Sequence, residues 1–191
     1  MLFGGQLPTM PSYSELIDRA LRTDRLLEKL MPTEPLDREF ARRIREADDA
    51  TLAGDVPVTS GPDFALVRGG ALYALDDLEP AHAIFQEAQG DLGSYWHGMM
   101  HRREGDFDNA RYWFRRAGAL PFFAALHGSA SRVSADMARQ SSWDPYLFTG
   151  QCEQTRFGAE ELLPEMRALQ RAEFDAIFAA CWRRSVKAPS P

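Results

Sequence analysis

Two stretches of the chain match at a fixed offset, and that match constrains the fold more than any other feature. Ala81-His-Ala-Ile-Phe85-Gln-Glu-Ala88 aligns with Ala110-Arg-Tyr-Trp-Phe114-Arg-Arg-Ala117, 29 residues further on. Gly69 and Gly98 keep the same offset upstream of them. Ala, Phe and Ala at positions 1, 5 and 8 share one helix face, and a glycine in the preceding helix lets that face approach closely. The pattern therefore predicts two helical hairpins, each with an apolar side that only a neighbouring element can cover.

Apolar periodicity places four helical cores at 63–75, 79–89, 94–103 and 107–117. Ahead of them, Ser12 and Glu15 have capping-box spacing, and Leu16, Ile17, Ala20, Leu21, Leu27 and Leu30 form one helical stripe. Phe40, Ile44, Ala47 and Thr51 form a second stripe on a heavily charged helix. Gly54–Pro62 reads as a loop. After the hairpins, 121–140 reads as helix interrupted near Gly128, Asp144-Pro145 as a helix start, and 159–184 as a long helix with Pro164 in its first turn. No alternating strand pattern occurs. The expected fold is all-α: a helical domain over 1–191, with an N-terminal helical pair (1–53), two hairpins (62–121) and C-terminal helices (122–186).

The second hairpin, with Gly98, Gly105-Asp106-Phe107, Ala110, Phe114, Ala117 and Pro121, resembles a tetratricopeptide repeat. The first (Gly69, Leu78, Ala81, Phe85, Ala88) resembles it more distantly. The likeness covers about residues 64–121; the offset is shorter than that family's period of about 34 residues. It implies that the flanking helices cap the pair and that Tyr95, Met99 and Arg102 face a concave groove of the kind that grips extended peptides. The block Ser94–Gly118, with Trp143-Asp144-Pro145, also resembles an uncharacterised family of soluble helical proteins, which implies no activity.

In the tetratricopeptide register, the residue before the helix-A glycine and the one three after it belong to the core. Here those slots hold Arg68 and Leu72, then His97 and His101. An unpartnered buried polar group costs about 1–3 kcal/mol, so such substitutions mark a place where something satisfies them. His97 and His101 are spaced i, i+4, as two metal ligands on one helix would be. His82, His127 or Glu104 would supply a third ligand, with His82 preferred. A buried histidine pair is expected to stay uncharged near neutrality, because desolvation disfavours the imidazolium.

Composition narrows the function classes. Lys and Arg total 22 against 28 Asp and Glu, a net charge of −6, which disfavours nucleic acid as the partner. No apolar run is long enough to span a bilayer, and Met1–Pro11 lacks the pattern of a signal peptide, so a cytoplasmic protein is expected. Cys152 and Cys181 read as reduced, inert thiols. No phosphate loop and no nucleophile elbow is present. The reading that follows is a binding module for a peptide or small acidic ligand, contacted by Arg68, Tyr95, His97, His101 and Arg102. Its alternative is a metal-dependent enzyme using His97 and His101 with His82. No motif calls for an organic cofactor; a zinc-like divalent ion is what the histidines would take. Self-association through the aromatic-rich second hairpin is a third expectation.

Overall fold

The two hairpins form where the 29-residue offset places them. In the computed structural model, which describes residues 13–23, 25–54 and 56–187, α4 (Gly61–Ala74) packs on α5 (Leu78–Glu87), and α6 (Gly90–Glu104) packs on α7 (Phe107–Ala117). Preceding them are α1 (Glu15–Leu21), α2 (Arg38–Glu46) and α3 (Asp49–Ala53). Following them are α8 (Phe123–Ala130), α9 (Ala135–Ala138), α10 (Pro145–Arg156), a 3-10 turn (Glu160–Leu162) and α11 (Leu163–Ser185). The described residues contain no strand, only an isolated antiparallel bridge between Val58 and Val186. The architecture is all-α, and among the described residues no helix is long and apolar enough to cross a membrane.

The seam glycines act as the sequence requires. A Cβ on Gly69 would stand 2.6 Å from the Phe85 ring, and one on Gly98 would stand 2.8 Å from the Phe114 ring. Gly70 does the same toward α11, where a Cβ would meet the Phe178 ring at 2.8 Å. The adjacent glycines of α4 thus admit two neighbours at once. Helix α11 carries Met166, Leu169, Phe174, Ile177 and Phe178 into the interior and packs on α4, α8 and α10.

The sequence reading needs correction where backbone conformation overrides periodicity. Ser12 lies outside the described residues; the cap of α1 is Ser14, whose hydroxyl oxygen accepts from the Ile17 amide. Helix α1 stops at Leu21, and the chain then passes through left-handed conformations at Arg25 (φ 64°) and Leu27 (φ 57°). Leu27 and Leu30 reach the core from this irregular segment, not from a helical stripe. Its carbonyls are satisfied from a distance: Gln170 Nε2 donates to Leu27 O (2.9 Å) and Lys29 O (3.1 Å), and Arg103 Nη2 to Lys29 O (3.0 Å). The second stripe breaks at Ala47, because Asp48 caps a separate α3. The interruption after α8 falls at 131–134, beyond Gly128, where Ser134 caps α9.

Candidate functional site

Tyr95 and Arg102 do not line a groove. Both are buried, as is Met99, and their polar atoms are met by Glu173 of α11 and by Trp143, so the face expected to be concave is covered. Glu173 of α11 is wholly buried and receives both of them: the Tyr95 hydroxyl donates to Oε1 (2.7 Å), Arg102 Nη1 also donates to Oε1 (3.2 Å), and Arg102 Nη2 donates to Oε2. Trp143 Nε1 donates to the Tyr95 oxygen at 2.7 Å, and Phe148 stacks 4.2 Å from the guanidinium. Desolvation, reinforced by the Glu173 carboxylate, pushes the Tyr95 phenol well above its usual pKa. This network joins α6, α10 and α11 as an internal strut. Glu173 had a sequence signal that periodicity alone passes over: it is an acid lying between Leu169 and Ile177 on the buried stripe of α11.

Arg68 is likewise engaged. Its Nη1 donates to Ile44 O (2.7 Å) and Ala47 O (2.6 Å), and its Nη2 to Asp49 Oδ1 (2.8 Å). The guanidinium satisfies the free carbonyls at the C-terminus of α2 and the start of α3. Those acceptors fix the guanidinium against α2 and α3.

The histidines behave differently. His82 comes from α5, and His97 and His101 from α6, and their rings gather in one place. Centroids lie 4.9 Å apart for His82–His97, 5.0 Å for His82–His101 and 4.7 Å for His97–His101. One nitrogen from each ring can be chosen so that all three fall within 4.8 Å of one another. His82 Nε2 and His97 Nε2 are 3.0 Å apart. Trp113 of α7 closes the cluster from behind, its ring 4.1 Å from that of His97. His127, the fourth histidine, lies elsewhere, within hydrogen-bond distance of Met137 O and Ser131.

Glu104, the last residue of α6, stands over the cluster. Its Oε1 is 2.7 Å from His82 Nδ1, and its Oε2 is 3.1 Å from His101 Nδ1. Burial works against ionisation of this carboxyl, but contacts with His101 and His82 outweigh it and hold the group below its usual pKa. An ionised Glu104 only accepts hydrogen bonds, so a neutral His82 carries its proton on Nδ1 and presents a bare Nε2 to His97. His97 is 4% exposed, and burial, aided by His101 and His82, pushes its pKa down to about 4. It is therefore neutral near pH 7, as the sequence suggested, and its Nε2–H donates to His82. That leaves His97 Nδ1 buried without a partner. His101 Nδ1 also lacks a formed hydrogen bond, because its Glu104 contact is poorly aligned. Both atoms carry the desolvation penalty that proteins usually avoid.

The cluster is not sealed. A cleft of about 700 Å³ runs between the Pro32–Pro35 segment, α2 and α5, with Arg45, Asp77, His82 and Glu104 on its walls. The two thiols take no part: Cys152 and Cys181 are buried, and desolvation raises each to about 12.

No protein-family model matches the chain, and no curated protein and no solved structure matches it. Helical pairs packed in an all-α protein are what the fold defines; the family likeness of the hairpins stays a matter of sequence pattern.

Proposed function

We propose that the protein is a binding module whose site is the imidazole cluster of His82, His97 and His101 beside the cleft. The observation that carries this reading is the convergence of three of the four histidines from two helices, with buried ring nitrogens that no protein group satisfies. Such a site takes an electron-poor ligand: a hydrogen-bond donor or a Lewis acid. The acidic ligand expected from the sequence would have relied on Arg68 and Arg102, whose guanidiniums are held inside the fold. As part of this proposal, the scaffold is a tetratricopeptide-like pair of hairpins, with matching Gly–Phe contacts, capped by α11. A second reading, metal-dependent catalysis with His97 and His101, draws support from the cleft, which gives a substrate room next to the cluster.

The test exploits the conflict between a binding site and stability. A site kept for a ligand is suboptimal for the fold, whereas a structural cluster is not. His82→Leu/His97→Leu/His101→Leu removes the unpartnered ring nitrogens, worth about 1–3 kcal/mol each, together with the ring that pairs with them, and fills the seam with hydrocarbon, leaving Glu104 at the cleft. The triple variant is expected to melt at or above the wild-type temperature. A loss exceeding about 2 kcal/mol in denaturant unfolding, well beyond the usual spread for surface substitutions, would show that the histidines serve the fold instead.

A further inference from the structure

We propose that His82, His97 and His101 bind one divalent d-block metal ion of the zinc, copper or nickel class, with Glu104 orienting the ligand rings from the side away from the ion. This deepens the binding reading and rests on it, since it names the ligand of the same site.

The donor set selects the chemistry. Three imidazoles and no carboxylate in the inner ring suit zinc, copper, nickel or iron and not calcium or magnesium, which take oxygen donors. Distances come close to what such an ion needs. Imidazole nitrogens at about 2.0–2.1 Å from a tetrahedral ion stand about 3.3 Å from one another. The His82–His97 pair is at 3.0 Å and has only to open slightly. His101 has further to come, the three nitrogens lying within 4.8 Å. It is one helical turn from His97 with its ring nearly parallel (14°), so rotation of a half-buried side chain is the movement required.

Protonation also fits. Glu104 accepts from His82 Nδ1, which leaves the Nε2 lone pair for an ion, and a carboxylate behind a ligating imidazole is the usual device for fixing tautomer and raising donor strength. The proton now lying between His82 Nε2 and His97 Nε2 has to leave that line when an ion enters. The unpartnered Nδ1 of His97 is the atom on the same ring that can receive it, so the imidazole stays neutral while its Nε2 becomes a ligand. The cleft wall formed by His82 and Glu104 supplies the entry path. Three protein ligands leave a coordination position for water or a substrate.

The experiment uses the full chain, stripped with chelator and titrated with zinc(II) by calorimetry and with cobalt(II) by visible absorption. One ion per chain is expected, with the intense absorption of tetrahedral cobalt. Glu104→Gln should weaken zinc binding by about 10–100-fold, the range found when a partner behind a ligand is lost. His82→Ala and His97→Ala should weaken it further, while His127→Ala should not. Because His97 is buried, ring ¹⁵N spectra of the wild-type protein give a reading that no variant's folding can confuse: zinc should move three histidines and leave the fourth. Absence of saturable binding, or binding that leaves those three rings unmoved, overturns the metal. If that happens while His82→Leu/His97→Leu/His101→Leu keeps or gains stability, the metal fails and the broader reading stands. If the same variant is also destabilised, both fail.

Discussion

Glu173→Gln breaks a buried ion pair from one side. The wild-type carboxylate receives Arg102 through both oxygens and the Tyr95 hydroxyl through one, with Arg102 2% exposed and Glu173 0%. Glutamine keeps the shape and one acceptor, but it turns an amide NH₂ toward a guanidinium and removes the countercharge. Breaking a buried pair from one side costs about 3–5 kcal/mol, because the surviving charge is left unpaired in a poor solvent. For a chain of 191 residues, at about 2–4 °C per kcal/mol, that is a fall in Tm of about 6–20 °C. Removing both charges is a different perturbation: Arg102→Met/Glu173→Leu should lie within about 2 kcal/mol of wild type, since a well-packed apolar replacement avoids the desolvation of two ions. Urea unfolding at pH 7, with calorimetric scans as a second measure, compares both variants with wild type. A Glu173→Gln protein within about 1 kcal/mol of wild type would refute the reasoning, since a loss that small is typical of exposed pairs. It would mean that water reaches Arg102, restoring it as a candidate ligand contact.

Glycine substitutions should change sign with location. Gly69→Ala and Gly98→Ala drive a methyl into the Phe85 and Phe114 rings and should cost about 1–3 kcal/mol. Gly150→Ala, inside α10 with nothing within 4 Å of the new methyl, should gain up to about 1 kcal/mol; equal effects at all three in thermal melts would contradict the seam. Acid should weaken the metal-free protein before most carboxylates titrate. His97 has its pKa lowered from 6.5 to about 4, so between those values the unfolded chain binds a proton that the folded one refuses. Stability conferred by the neutral ring is complete above about pH 6.5 and declines as pH falls toward 4, by about 3 kcal/mol in all. His97→Leu should flatten that part of the stability profile; an unchanged slope in denaturant titrations from pH 4 to 7 would count against a buried neutral ring.

What the sequence revealed, and what it hid, follows from the range of the interactions. The hairpins were legible because their determinants lie within one helix turn or one short loop: Gly69 with Phe85, Gly98 with Phe114, and Asp144 capping its own helix. The convergence of His82 with His97 and His101 was legible for the same reason, being a contact between consecutive helices. Tyr95 and Arg102 were misplaced because their partner, Glu173, lies 71 or more residues away, and no local pattern says which helix covers a face. The stripe through Leu27 and Leu30 misled because burial of alternate turns is satisfied as well by a folded-back segment, here anchored by Gln170 and Arg103.

The placement of the imidazoles follows from the same helix register. Arg68 and His97 are 29 residues apart, and each points from the first helix of its hairpin toward the element before it. For Arg68 that element is the end of α2, whose free carbonyls call for a donor, and a guanidinium answers them. For His97 it is α5, which presents the ring of His82. His82 and Arg111 are also 29 apart, and each reaches forward: His82 to Glu104 in the next hairpin, Arg111 to Glu153 of α10 at 2.5 Å. In each case a polar side chain beside a buried alanine bridges to the next helix. Only in the middle of the stack, where a forward-reaching and a backward-reaching residue meet, are both of them histidines. A fold needing just a bridge there could use the arginine–carboxylate pairing found between α7 and α10. Imidazole rings, whose nitrogens can exchange a shared proton for a cation, are the substitution that a ligand site would require.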